Sequence, residues 1–129
     1  MALHPSARDS LTPLGPAELR LAEYQRQVHE TAVAHGWWDE PRPVLEAIAL
    51  IHAEISEAVE EYRNDNSDLT AVHRDPATGK VDGFGVELAD AVIRILDLCE
   101  HLGIDMEALL VEKAAYNETR PYRHGGKKA

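Results

Sequence analysis

Cys99 is the only cysteine, so no intrachain disulfide can form and a reducing compartment fits. Aromatic residues make up only 5% of the chain while Ala and Leu abound, which weights it toward helix and away from sheet. No apolar stretch approaches the ~20 residues of a membrane span. At the N-terminus Ser6, Arg8, Asp9 and Ser10 interrupt any signal-like apolar run, so a cytoplasmic protein without a membrane partner is expected. Basic residues are outnumbered 13 to 23, giving a net charge of −10. Such a surface repels nucleic acid, and an anionic small substrate needs a local basic patch or a metal. Zinc spacing of Cys and His, a Gly-x-x-x-x-Gly-Lys loop and a Gly-x-Ser-x-Gly elbow are all missing.

The chain has 129 residues, the length of one domain with a single core. Residues 1–14 read as a flexible leader, 15–122 as a helical domain and 123–129 as a basic tail. Gly15-Pro16 opens a first helix, because proline is tolerated in a first turn, and Gly36 stops it. Trp37 to Pro43 is a turn restricted by its two prolines. A second helix is expected from about Pro43 to Arg63, its apolar face formed by Val44, Ala47, Ile48, Ile51, Ile55, Ala58, Val59 and Tyr62. Residues 64–85 break the period and carry turn chemistry, with a short hairpin around Pro76–Gly79. A third helix runs from about Val86 to Leu102, with Leu88, Val92, Ile95, Cys99 and Leu102 inward and Gly103 as its stop. Cys99 on that stripe reads as a small buried hydrophobe. Asp105 caps a fourth helix carrying Leu109, Leu110, Lys113 and Asn117, ended by Pro121. The fold class is all-α: a bundle of four to five helices with a long loop between the second and third.

Those two helices carry the most informative pattern. Glu54-Ile-Ser-Glu57 and Glu87-Leu-Ala-Asp90 each set two carboxylates three residues apart, hence on one helical face. If the helices pack antiparallel, the pairs meet. Four carboxylates so placed repel one another unless a cation joins them, and an oxygen-only ligand set suits Mg²⁺, Mn²⁺ or Ca²⁺. The pattern points to a magnesium-dependent enzyme acting on a phosphorylated substrate, with Mn²⁺ an alternative ion. The competing reading is an ion-pair network with Arg63, Arg74 and Arg94, in which Arg94 reaches Asp90 four residues back. A di-iron bundle needs Glu-x-x-His on two helices, and no Glu here has a His three residues on.

Lys113 and Asn117 share a helix face, and Arg120, Arg123 and Lys127 follow. These are charges favourable at a helix C-terminus or a clamp for polyphosphate. Trp37 and Trp38 either stack on a nucleobase or cap the core.

Glu54-x-x-Glu57, Glu87-Leu-Ala-Asp90 and Lys113-x-x-Tyr116-Asn117-x-x-Arg120-Pro121 together resemble the MazG-type all-α nucleoside triphosphate pyrophosphohydrolases over roughly residues 20–127. The resemblance implies a MazG-like fold, akin to dimeric dUTPases, dCTP pyrophosphatases and phosphoribosyl-ATP pyrophosphohydrolases. It implies Mg²⁺ held by Glu54, Glu57, Glu87 and Asp90, and phosphate contacts from Lys113, Asn117 and Arg120. A nucleoside triphosphate would be cut to the monophosphate and pyrophosphate, within a homodimer or homotetramer whose sites are completed by neighbouring chains. Many relatives carry a further Glu where this chain has Ala53, so the general base falls to Glu57 or Glu61. The alternatives are a phosphoribosyl-ATP pyrophosphohydrolase and a non-catalytic helical oligomer of the same fold.

Overall fold

A computed structural model describes residues 20–129. The leader at 1–14 and the Gly15-Pro16 helix start lie outside the described residues. The described chain is mostly helical, with two short strands in one hairpin.

Helix α1 spans Leu21–Ala34. Gly36 follows at φ +84°, a left-handed value suited to the expected stop. Pro43 then precedes α2, Val44–Asn64. Asp65 and Asp68 close successive Asx turns, each accepting from the backbone N–H and the hydroxyl two residues on, Ser67 and Thr70. The expected hairpin is present. β1 (His73–Arg74) pairs antiparallel with β2 (Val81–Asp82), in the register His73 to Asp82 and Arg74 to Val81. Its turn is fixed by Asp75, whose Oδ1 accepts from Ala77 N at 2.8 Å. Gly83 joins β2 to α3 at φ +148°, and a Cβ there would lie 2.6 Å from the Ala71 carbonyl oxygen. Only glycine fits, so the loop is seated on the head of the next helix.

Helix α3, Phe84–Leu102, starts two residues before the expected Val86 and ends at Gly103 in the left-handed conformation. Asp105 caps α4, Met106–Glu118, its side chain accepting from Ala108 N at 3.0 Å. A last helical segment, α5 (Arg123–Gly126), has left-handed values at His124 and Gly125.

α3 is the central element. α2 packs along one side of it and α1 along another, while α4 rests against α1. The seam between α2 and α3 is lined by alanines: Ala58 is 2% exposed and Ala91 3%. Small residues let two helices approach closely. The core is completed by Val28, Ala47, Leu96, Leu98 and Cys99. Burial raises the Cys99 thiol pKa, as suits an inert side chain.

The expected inward faces need correction. On α2 the buried residues are Ala47, Glu54 and Ala58, whereas Val44, Ile48, Ile55, Val59 and Tyr62 are exposed. On α3 Leu88, Val92 and Leu102 are exposed, and on α4 Leu109, Leu110, Val111 and Tyr116. The helical period holds and Ala47, Ala58 and Cys99 of the expected faces are buried, but the bulkier members of those faces are not covered. Where α2 meets the first half of α3 the covered positions are small or acidic, and the bulkier apolar residues of α2 stay open within one chain.

Candidate metal centre

Glu54 lies nearly three turns into α2 and Glu87 in the first turn of α3, on the faces these helices turn toward each other. Glu54 is 8% exposed and Glu87 9%, while Asp90 is half-buried. One carboxylate oxygen from each of Glu54, Glu87 and Asp90 lies within 4.8 Å of the other two. Glu57, exposed beside them, is close enough to Glu54 and Glu87 to perturb their protonation and be perturbed in turn. The two sequence pairs therefore meet across the α2–α3 seam.

This crowding distorts the acid–base behaviour of the group. Burial, followed by the nearby charges of Glu57 and Asp90, pushes the Glu87 pKa up to about 7. Burial and the charge of Glu54 raise Asp90. The hydrogen bond and charge of Glu54 raise Glu57. Glu54 alone goes down: burial opposes its charge, but the hydrogen bond from Arg94 and those shared with Glu57 and Glu87 outweigh it. Arg94 Nε donates to Glu54 Oε1 at 2.6 Å. The sequence pairs Arg94 with Asp90 along one helix; the hydrogen bond instead crosses to α2. Of the other proposed neutralisers, Arg63 pairs with exposed Glu60 at 3.4 Å and Arg74 lies on the exposed strand β1.

One guanidinium among four carboxylates leaves negative charge unbalanced, which is the condition a divalent cation relieves. The donors are all hard oxygens, matching Mg²⁺ or Mn²⁺ and not zinc or iron. Glu54, Glu87 and Asp90 fit such an ion directly, with Glu57 beside them. Glu61 does not join them. Seven residues beyond Glu54 on the same helix, it is displaced by about 10 Å along the axis.

A cleft of about 310 Å³ opens beside the cluster, within the size range of small-molecule sites. Its walls include Glu54, Asp90 and Arg94 at one end and Thr31, His35, Trp37 and Arg42 at the other. Trp37 is exposed, with the Arg42 guanidinium 5.7 Å from its ring centre. Trp38 is committed to architecture. Its Nε1 donates to Asp97 at 2.9 Å, and its ring stacks on His101 at 3.9 Å. His29 Nδ1 donates to the same carboxylate at 2.7 Å.

The basic residues proposed as a clamp are not brought to the carboxylates within one chain. Lys113, Asn117 and Arg120 lie on or just past α4, which rests on α1, and none of them lines the cleft. Lys113 and Arg120 flank the Tyr116 ring at 4.8 and 5.8 Å. Arg123 and Lys127 belong to the exposed tail segment. Sequence reasoning missed His35, Thr31, Arg42 and Asp97 as cleft residues. Their separation along the chain leaves no local signal, except that Arg42 sits in the same proline-bounded turn as Trp37.

Comparison with protein-family models, with curated proteins and with solved structures finds no match for this chain.

Proposed function

We propose that this protein is a Mg²⁺-dependent nucleoside triphosphate pyrophosphohydrolase, the activity implied by its resemblance to the MazG-type enzymes. The observation that carries the proposal is the convergence of Glu54, Glu87 and Asp90 oxygens within 4.8 Å beside a cleft of about 310 Å³ that Glu54 and Asp90 line. A bound divalent ion supplies neutralisation of phosphate charge and a lowered pKa for water. The chain's own residues divide the remaining work. Glu54, Glu87 and Asp90 hold the ion. Glu57, exposed and with a raised proton affinity, takes the proton from the attacking water; Glu61 is too far along α2 to do so directly. Trp37, at the rim of the cleft, offers a ring face to a base.

Phosphate contacts from Lys113, Asn117, Arg120, Arg123 and Lys127 would then come from a neighbouring chain. The exposed large apolar residues along α2, α3 and α4 support a homodimer or homotetramer, because apolar surface left open within one chain suits an interface between copies. Light scattering at low micromolar concentration checks this: a mass near the 14.3 kDa monomer overturns the oligomer.

The activity is tested with a panel of ribo- and deoxynucleoside triphosphates and phosphoribosyl-ATP in Mg²⁺, scoring pyrophosphate. Pyrophosphate from at least one nucleoside triphosphate is expected. Orthophosphate as first product means attack at the γ-phosphorus and sinks the mechanism. Turnover of phosphoribosyl-ATP alone selects the narrower enzyme, and no turnover at all selects a non-catalytic oligomer.

A further inference from the structure

Arg94 occupies a position that a simple ion pair does not require. It lies one turn past Asp90 on α3, and its Nε reaches across the seam to Glu54 on α2. An arginine has five donors in a planar fork, and a purely structural partner usually takes both nitrogens of one edge. Here the hydrogen bond uses Nε. Among the described residues neither terminal nitrogen donates a hydrogen bond to protein. The side chain remains 36% exposed while that of Glu54 is 10% exposed, and Arg94 lines the cleft beside the carboxylates.

The other guanidinium of the cleft is differently engaged. Arg42 lies over the faces of Trp37 and Trp38, at 5.7 and 5.6 Å from their ring centres. That leaves Arg94 as the cation at the carboxylate end of the cleft with donors to spare. An anionic ligand approaching four carboxylates meets repulsion there, and a fixed planar fork is the side chain suited to receive a phosphate oxygen in such a place.

We propose that Arg94 couples the carboxylate centre to its ligand: Nε holds Glu54 in place while the terminal nitrogens receive a phosphate group of the ligand in the cleft. The proposal rests on the metal-centre reading above for its first half and on cleft geometry alone for its second. Arg94 acts on the ion through Glu54, as a positioning residue, and on the phosphate directly.

The test uses the full-length protein, Mn²⁺ and inorganic tripolyphosphate as probes, and calorimetric titration of each. Arg94→Gln should weaken tripolyphosphate binding at least about tenfold, the loss typical of a charge-assisted contact. It should also weaken Mn²⁺ binding roughly tenfold, as the loss of an outer partner to a metal-holding carboxylate does. Arg94→Lys keeps the charge without the fork, guards against a folding defect, and should recover Mn²⁺ affinity more fully than tripolyphosphate affinity. Arg63→Gln removes the same charge from an exposed surface pair and should change neither. Unchanged tripolyphosphate affinity in Arg94→Gln overturns the proposal. Tighter Mn²⁺ binding in that variant also overturns it, since Arg94 would then be a competitor for Glu54. Wild-type protein that binds no Mn²⁺, yet loses tripolyphosphate affinity in Arg94→Gln, overturns the metal reading and upholds the phosphate contact. Wild-type protein that binds neither probe overturns both.

Discussion

α3 presents polar groups to two neighbours, and the two seams are built on opposite terms. Toward α1, every carboxylate has a partner of complementary kind. Asp97 accepts from His29 and Trp38, and Glu100 accepts from Gln25 at 2.9 Å, whose same amide nitrogen also reaches the Ile104 carbonyl at 2.8 Å. Toward α2, carboxylate faces carboxylate, with Arg94 the one cation hydrogen-bonded into the group among the described residues. A satisfied polar seam fixes how helices sit. A seam of like charges destabilises the metal-free chain, so it marks the place where binding a cation returns free energy.

The sharpest way to break this contrast is to remove charge from the second seam. Glu57→Gln and Asp90→Asn should each lower pyrophosphate release at least about a hundredfold, beyond what outer-shell partners cost, with far-ultraviolet circular dichroism unchanged. A large loss of stability in metal-free melts of both variants would instead make the cluster a structural network.

The first seam should respond in the reverse sense. Gln25→Ala removes the donor to half-buried Glu100 and to the Ile104 carbonyl, and should cost about 1–3 kcal/mol in denaturant unfolding while Mn²⁺ affinity stays at the wild-type value. Weakened Mn²⁺ binding there would mean that the two seams are energetically one.

A third comparison is made by pH. Folded Glu87 has its pKa raised to about 7, above the ordinary glutamate value, so between those values the folded chain binds more protons than the unfolded one. Its contribution is therefore fully present at low pH and declines as pH rises through 7. Metal-free protein should lose on the order of 1–3 kcal/mol over that interval, and Glu87→Gln should flatten the profile. Saturating Mg²⁺ should do the opposite, stabilising more as the carboxylates ionise. A metal-free stability that climbs across this window would show that Glu87 is not under charge stress.

The smallest effect is expected outside both seams. Deleting residues 123–129 should raise the Michaelis constant less than about tenfold, and the change should shrink as salt screens the tail's charge. Identical kinetics would make the tail a solvated end.

The sequence revealed the carboxylate pairs because both partners of each pair sit one turn apart, where spacing alone reports a shared face. It also revealed the glycine stop at Gly103, the Asp105 cap and the hairpin, all governed by neighbours within about ten residues. It misjudged which bulky residues of α2 and α3 are covered. Ala91 buries little area, so a reading by hydrophobicity passes it over for Val92, and periodicity cannot say whether the bulkier members of a stripe, such as Ile55 and Val59 beside the correctly placed Ala47 and Ala58, are covered by their own chain. The pairing of Arg94 with Glu54, forty residues apart, and that of Asp97 with Trp38 and His29 depend on how helices meet, which no local spacing encodes.

Gly83 has a consequence for how this chain tolerates change in length. With no room for a Cβ beside the Ala71 carbonyl, it anchors the connecting segment at the head of α3, whereas the Ala77–Gly79 tip beyond the two-residue strands is exposed and closed by its own Asp75. Length can be added at the tip without moving Glu87, four residues past the anchor. A reporter peptide grafted between Ala77 and Thr78 would ride on the outside of the hairpin, so the loop most variable in design is also the one least able to disturb the carboxylates it precedes.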